Sequence, residues 1–478
     1  MGVAMQRQEQ TTGGQDAQWV SMFKADQKIV PRSVTGRFAR ARWAMVLFTQ
    51  ALFYGLAWVQ TNNRQFMLFD LSARRFYLGP LVFYPQDFIY LTGLLVVCAL
   101  SLFLFTAVAG RVWCGYACPQ TVYTELFMAI ERWAEGDRSA RLRLAAGPWT
   151  LERVRRTGTK QLGWVALALW TGFTFVGYFT PIRTLWHSLV TLSVSGWEGF
   201  WIGFYSLATY GNAGFMREQV CKYMCPYARF QSAMFDRDTL LVTYDEQRGE
   251  PRGARSKKAD PSAIGLGSCV DCSLCVQVCP TGIDIRKGLQ YECIGCAACV
   301  DVCDQVMDKM GYARGLVRYS TQNGVAKGWD TRTLLKRALR PRVLVYSAVV
   351  WALIIGLFTT LALRPDIRAD VVRDRAVNAR VLDNGELENV YRINLMNDTE
   401  QAVQVHVAVG PATQFHSPDT GPTVLAPTES HWVVVHVQAR EEAVQPGSNP
   451  LIFRISSQRL GDGARGQVDE HAVFLAPR

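Results

Sequence analysis

Beyond Cys303 the chain has no cysteine, and nowhere in its 478 residues is there a C-x-x-C-H motif. The first absence excludes a disulfide-stapled C-terminal region, and the second excludes a covalently attached c-type haem. Acidic residues are in deficit, 40 against 51 Lys and Arg, for a net charge of +11. The excess base flanks apolar runs and forms no single stripe, so nucleic acid is not an expected partner. The stretch from Gln6 to Gln18 is polar, and no cleavable signal peptide is expected there. Five of the six histidines (His406, His416, His431, His436, His471) fall in the C-terminal quarter. His431 and His436 are five apart, on opposite faces of a strand, which makes them a poor ligand pair.

What the chain does have is cysteine in groups. Twelve of its thirteen cysteines sit in C-x2-C or C-x3-C patterns. Eight form two nearly identical runs, Cys269-x2-Cys272-x2-Cys275-x3-Cys279-Pro280 and Cys293-x2-Cys296-x2-Cys299-x3-Cys303. This is the spacing of bacterial two-cluster ferredoxins, in which three cysteines of a run cap one [4Fe–4S] cube and the fourth crosses to the other. It assigns Cys269, Cys272, Cys275 and Cys303 to one cluster, and Cys293, Cys296, Cys299 and Cys279 to the second. Zinc also uses C-x2-C pairs, but it seldom needs an eight-cysteine doublet ending in Cys-Pro. The expected chemistry is one-electron transfer. Clustered thiols fit a reducing compartment, which places residues 111–341 in the cytoplasm.

Mean hydropathy is near neutral (+0.04), so the 49% of hydrophobic residues must be concentrated. A bilayer core of about 30 Å takes about 20 apolar residues in a helix. Residues 43–59, 88–109, 162–180, 197–215 and 343–363 are read as five spans. Residues 185–194 are too short to cross and are read as interfacial. Basic residues precede the first span (Arg32, Arg37, Arg40, Arg42), follow the second (Arg132, Arg138, Arg141, Arg143, Arg153, Arg155, Arg156, Lys160) and precede the fifth (Arg332, Lys336, Arg337, Arg340, Arg342). By the positive-inside rule those loops are cytoplasmic, and everything after residue 364 is outside. Beyond the fifth span, period-two runs such as Val390–Leu395 and His431–Val437 alternate with turn signals such as Asp383-Asn384-Gly385. They predict a β-sandwich of about 100 residues. The domains read as 1–42 (N-terminal segment), 43–235 (four membrane helices), 236–340 (ferredoxin-like insert), 341–364 (fifth span) and 365–478 (outer sandwich).

A second cysteine pattern is duplicated. Cys114-Gly115-Tyr116-Ala117-Cys118-Pro119 follows the second span, and Cys221-Lys222-Tyr223-Met224-Cys225-Pro226 follows the fourth. Proline favours the first position of a helix, so Cys118 and Cys225 are expected at helix N-caps. There the helix dipole, with Arg111, Lys222 and Arg229 nearby, is expected to favour thiolate. If the two hairpins lie side by side, four sulfurs meet on the ferredoxin side. Soft thiolates suit Cu(I). A further iron–sulfur cluster, a quinol pocket and a redox disulfide remain open alternatives. Met128, Met216 and Met224 are read as packing residues, as is Cys98 in mid-span. His187 and Glu198 are read as interfacial.

Taken together, residues 110–121 (Gly-Arg-Val-Trp-Cys-Gly-Tyr-Ala-Cys-Pro-Gln-Thr), 217–232, 236–253 and 281–296 closely resemble the cytochrome oxidase accessory family known as CcoG, FixG or RdxA. The resemblance covers nearly the whole length. It implies a multi-domain membrane protein: an α-helical bundle of five spans, a cytoplasmic two-cluster ferredoxin-like α+β insert, and a periplasmic immunoglobulin-like β-sandwich. It also implies a place in the bacterial inner membrane, two [4Fe–4S] clusters, and reduction of Cu(II) to Cu(I) for assembly of the cbb-class cytochrome oxidase. Cys114, Cys118, Cys221 and Cys225 match the family's membrane cysteines and would handle the copper; the eight insert cysteines match its cluster ligands. Asp304 stands where a second Cys-Pro would have its proline, which is not a ligand. The implied partners are membrane lipid, a cytoplasmic electron donor, and a copper chaperone or the oxidase assembly machinery. Two rivals share much of this pattern: a quinol dehydrogenase subunit feeding a periplasmic reductase, and a non-enzymatic assembly factor acting through its outer domain.

Overall fold

The computed structural model describes residues 29–62, 64–257, 265–374, 379–419 and 421–477. Helix α1 (Arg37–Leu56) is followed by the hairpin β1–β2 (Gln60–Thr61, Arg64–Gln65) and a three-stranded antiparallel sheet, β3–β5 (Met67–Asp70, Arg75–Leu78, Leu81–Phe83). Then come α2 (Phe88–Ala109), the short α3 (Val112–Tyr116), α4 (Pro119–Glu135), α5 (Arg138–Ala146), the long α6 (Leu151–Val176), α7 (Ile182–Val190) and α8 (Gly196–Thr209), which continues as a π-helical stretch over Tyr210–Met216. Helix α9 (Pro226–Met234) leads into the insert. The insert holds β6 (Leu241–Tyr244), α10 (Glu246–Gly249), α11 (Leu274–Gln277), α12 (Ala298–Met310), β7 (Val317–Ser320), α13 (Gln322–Ala326) and α14 (Thr331–Ala338). Finally α15 (Pro341–Ala362) connects to strands β8 to β15.

Helices α2 and α15 lie antiparallel and fix the long direction of the molecule. Tyr90 donates to the Thr360 carbonyl at one end (3.2 Å), and Arg340 donates to the Ala107 carbonyl at the other (2.6 Å). Each has 22 residues, or about 33 Å of helix, enough to cross a bilayer core. Their apolar side chains, among them Ile89, Leu94, Leu95, Val345, Trp351 and Phe358, stay exposed. Cys98, expected to be packed, is also exposed on α2.

Among the described residues these two are the helices long and apolar enough to cross a membrane. The other three expected spans are helical but differ in detail. Helix α1 starts six residues early, at Arg37, and takes in Arg40 and Arg42; α6 starts at Leu151 and includes Glu152, Arg153, Arg155, Arg156 and Lys160; α8 gives way to π-helix at Tyr210. Charged and polar residues at the insert end dilute each apolar run. All three nonetheless run from the insert end to the opposite end. The first turn of α1 meets the insert, where the Phe38 and Ala39 amides donate to the Asp301 carboxylate (3.2 and 2.7 Å). Near its last turn, the Phe53 carbonyl accepts from Tyr178 just beyond α6 (2.6 Å). Gly172 of α6 packs on Ser206 of α8, so closely that a Cβ there would lie 2.3 Å from the Ser206 hydroxyl. Glu198, read as interfacial, forms a capping box with Ser195 at the start of α8. Helix α7 accounts for most of the segment too short to cross.

The insert is closed by β6 and β7, paired antiparallel from Leu241↔Ser320 to Tyr244↔Val317. Between them the duplication seen in the sequence repeats in the backbone. Asp271 and Ser273 have positive φ around the second cysteine of the first run, and Gly295 and Ala297 do so around the second cysteine of the second. Each pair turns the chain into a helix, α11 or α12, that carries the third cysteine in its first turn. At the far end, β8 (Ile367–Arg373), β9 (Arg380–Val381), β10 (Glu386–Asn397) and β13 (Ser430–Arg440) form one antiparallel sheet. Strands β11 (Val403–Gly410), β12 (Thr423–Leu425), β14 (Gly447–Arg459) and β15 (Arg465–Ala476) form the other. Alternate residues point inward and build a core around Tyr391, Ile393, Phe453 and Phe474 with no cysteine in it.

That sandwich is tied to the helix pair. Buried Asp87 at the start of α2 and Asp398, whose side chain is 4% exposed, share Arg364 and Arg368, with Arg364–Asp87 at 2.9 Å and Arg368–Asp398 at 2.8 Å. The β3–β5 sheet, which no periodicity announced, adds Leu68, Tyr77 and Val82, with Tyr84 just beyond it, against Met396 of β10. The insert and the sandwich therefore stand at opposite ends of the helices.

Candidate redox site

Cys114, Cys118, Cys221 and Cys225 belong to two turns that the fold stitches together. Cys118 and Cys225 are the N-caps of α4 and α9, each with proline in the first helical position. Cys114 lies in α3, and Cys221 in a π-helical turn over Val220–Met224. Hydrogen bonds cross from one turn to the other. Gln120, just past Cys118, donates to the carbonyls of Asn212 (2.9 Å) and Arg217 (3.1 Å), just before Cys221. Gln231, on α9 past Cys225, is fully buried and its amide lies against Cys114 Sγ (3.4 Å) and the Thr106 hydroxyl (3.4 Å). Arg111, just before Cys114, donates to the carbonyls of Ala228 and Tyr291.

The expected thiolates are not what this environment favours. Burial pushes Cys114 up to about 11 and Cys221 up to about 12, and raises Cys118. For Cys221 the three neighbouring cysteines push the same way. Arg111 opposes the shift at Cys114 and Cys221, but desolvation outweighs it. Metal-free Cys114, Cys118 and Cys221 are thiols, and binding a soft metal to them releases protons. Among the described residues no three of His, Cys, Asp and Glu are close enough to share one metal ion.

The same holds for the insert, where two small cavities are lined by sulfur. Cys269, Cys272, Cys275 and Cys303 line one of ≈ 30 Å³. Cys279, Cys293, Cys296 and Cys299 line the other, of ≈ 20 Å³, with Cys275 also on its wall. Each set takes three sulfurs from one run and one from the other, and the remaining wall is largely apolar (Ile283, Ile285, Ala297, Val302, Val306). Four cysteines around each cavity are the donor set of a cube, in which each thiolate binds its own iron corner. The residues present fit [4Fe–4S] clusters.

The two sulfur regions are in direct contact. A Cβ on Gly115 would lie 2.8 Å from the Ile294 carbonyl and 2.9 Å from Cys296 Cα, so only glycine fits between Cys114 and Cys118 at this approach. Arg42 of α1 donates to the Cys296 carbonyl (2.6 Å). Gly115→Ala should therefore cost about 1–3 kcal/mol by overpacking. Thermal unfolding in detergent, followed by cluster absorbance, tests this; an unchanged midpoint would show that the approach is looser than it looks.

Beside this contact is a cavity of ≈ 80 Å³ whose wall includes Arg42, Glu125, Met128, Arg217, Glu218 and Cys221. Behind it is an ion network that sequence reasoning missed. Glu131 is fully buried between Arg141 (2.6 Å) and Arg217 (2.8 Å), and Glu135 meets Lys160 (2.7 Å). Arg217 has a left-handed backbone (φ 40) and leads into the Cys221 turn. The available signal was two acids four apart, Glu131 and Glu135, on the buried face of α4.

Comparison with known proteins gives a consistent family. The profile of a 4Fe-4S dicluster domain matches residues 216–322, and that of a 4Fe-4S binding domain matches 91–135. The immunoglobulin-like fold found at the C-terminus of FixG matches 357–477. The nitrogen fixation protein FixG of Rhizobium meliloti is 40% identical over 426 residues, 81% of each chain. Protein RdxB of Cereibacter sphaeroides is 40% identical over 402 residues, 82% of this chain and 84% of its own. Protein RdxA of the same organism is 40% identical over 390 residues, 80% of this chain and 82% of its own. A crystal structure of a FixG-related protein from Vibrio parahaemolyticus aligns with 23% of this chain and 97% of its own, at 16% identity and a TM-score of 0.19.

Proposed function

The chain belongs to the FixG/Rdx family of iron–sulfur electron-transfer proteins, and from that premise we propose that it is an inner-membrane cupric reductase serving assembly of the cbb-class oxidase. All five helices cross the membrane in this reading, with the insert in the cytoplasm and the sandwich in the periplasm. The apolar surfaces of α2 and α15 support this, as do the basic residues gathered at the insert end. Bound clusters supply one-electron transfer. The chain's own contribution is placement: the Cys114–Cys118 turn sits directly on the Cys293–Cys299 run, and this is the observation that supports the reading most. Copper is the substrate. It approaches Cys221 through the adjoining cavity, where Glu125 and Glu218 suit Cu(II) and Met128 and the four membrane-face sulfurs suit Cu(I). The donor is a cytoplasmic reductant, and Cu(I) passes to a chaperone or to the oxidase assembly machinery.

The reaction balances at one electron per Cu(II), drawn from the reduced protein. Anaerobically reduced full-length protein mixed with Cu(II) and a Cu(I)-selective chelator should give chelated Cu(I) while cluster absorbance returns to the oxidised form. Cys221→Ser should slow this by about tenfold or more, some 1.4 kcal/mol of barrier. Reoxidation by quinone with no Cu(I) formed would replace this reading with a quinone-linked one.

A further inference from the structure

We propose that electrons enter at the exposed face around Cys272, and that the partner docking there is a small acidic one-electron carrier protein holding a flavin or an iron–sulfur centre. This deepens the reading above by naming the class of its cytoplasmic reductant. It rests on that reading for the direction of flow, from the insert to the membrane face, and not on copper.

Three observations converge. The first is access. Of the eight insert cysteines Cys272 is the exposed one; Cys269 is buried and the other six are half-buried. The second is order. Cys272 lines the cavity it shares with Cys269, Cys275 and Cys303. Cys275 is on the wall of both sulfur-lined cavities, and Cys296, on the second, is where the Gly115 turn makes its close approach. One path therefore runs from the surface at Cys272, through the first sulfur set to the second, and ends against the Cys114–Cys118 turn. The third is charge. The acids beside Cys272 already have cationic partners. Asp271 is held by Arg286 with Arg252 at 4.0 Å, Asp284 by Arg286 (2.8 Å), and Glu250 lies 3.6 Å from Arg252. Arg255 turns inward, donating to the Cys269 carbonyl (3.2 Å) with its guanidinium over the Tyr312 ring. Arg252, Lys257 and Lys287 are exposed around them. Residues 250–257 and 271–287 together carry five basic side chains against three acidic ones. A basic rim favours an acidic partner and speeds the encounter. Electron-transfer pairs use small contact areas, which suits a rim of this size around one ligand.

Each encounter moves one electron from the carrier to the insert, and no bond or proton changes hands. The probe is a reduced plant-type [2Fe–2S] ferredoxin, an acidic carrier, mixed anaerobically with oxidised full-length protein in detergent and without copper. Its rate of reducing the insert should fall by about tenfold or more between about 50 and about 500 mM salt. Arg252→Glu with Lys287→Glu should slow it about tenfold at low salt while iron per chain stays the same. The same double variant should be reduced faster by the cationic methyl viologen radical. With both proteins oxidised and no electron moving, carbodiimide coupling should join ferredoxin carboxylates to Lys257 or Lys287. A ferredoxin rate indifferent to both salt and the charge reversal overturns the proposal, as do crosslinks confined to Lys309 or Lys327. Should the double variant fail to accumulate, the salt series and the crosslinks on the parent protein decide. Salt-dependent reduction that yields no Cu(I) once Cu(II) is added would sink only the copper reading. Brisk Cu(I) formation with a salt-indifferent ferredoxin rate would sink only the docking face.

Discussion

Glu131→Ala should cost the protein about 3–5 kcal/mol, the penalty for stripping the partner from buried charges. Two guanidiniums, Arg141 and Arg217, close on this one carboxylate at 2.6 and 2.8 Å, and all three side chains are at most 6% exposed. Removing the acid leaves Arg217 without its carboxylate and Arg141 with only Glu135, at 3.9 Å, in a site that excludes water. Glu131→Gln keeps the shape and loses the charge, so it should fall most of the way as well. Geometry is affected too. Arg217 holds a left-handed backbone, donates from Nε to the Gly214 carbonyl (3.1 Å), and offers its own carbonyl to Gln120, which aligns the Cys221 turn with α4. Releasing Arg217 should therefore loosen the four-cysteine site as well as lower the melting point. The exposed i,i+4 pair Glu152–Arg156 is the natural control and should change little when broken. A loss under about 0.5 kcal/mol for Glu131→Ala would mean that water reaches this network.

The eight insert cysteines were legible in the sequence because their spacing is set by the shape of a cube, which no tertiary packing can override. The sandwich was legible because each strand has one face inward, so period two is written into residues such as Val433, Val435, Val437 and Ala439. The helices were harder. Arg141 and Lys160 were counted as loop charges that orient the chain, yet both are buried and paired with Glu131 and Glu135. A charge count cannot tell a solvated arginine from one that closes an ion network. The β3–β5 strands have four residues or fewer, too short for any periodicity to stand out. The thiolate expectation for Cys118 came from helix dipole and nearby charge; it left out desolvation, which depends on neighbours distant in sequence. The link between the two C-x3-C-P turns was hidden for the same reason: Gln120 and Gln231 have no meaning until α4 and α9 are placed.

Removing iron should unfold the insert while leaving the sandwich intact. From Asp245 to Leu316 the described chain has two four-residue helices, α12 and one 3-10 turn, and no strand. Its apolar core is thin, and cysteine is part of it: Cys269 is buried within the cluster around Val242, Val300 and Leu316, with Cys275, Cys299 and Cys303 packed against it. A bound cube fills each sulfur-lined cavity and crosslinks segments that otherwise meet only through loops. Without iron, burial pushes Cys293 and Cys303 up to about 12, so these two are neutral thiols with no charge or bond to hold the runs together. Metal affinity in such a site is folding free energy. Arg255 and Arg286 report on the result. In the folded insert Arg255 donates to the carbonyls of Gly267 (2.6 Å) and Cys269 (3.2 Å), and Arg286 is held by Asp284 (2.8 Å). After chelation under reducing conditions, trypsin should cut at these arginines at least about tenfold faster, as expected when local opening becomes easier by some 1.4 kcal/mol. Residues 367–476 should resist as before, because no cysteine contributes to their core. Identical digestion patterns with and without iron would mean that the insert folds on its apolar contacts alone, and that the clusters are guests in a preformed domain.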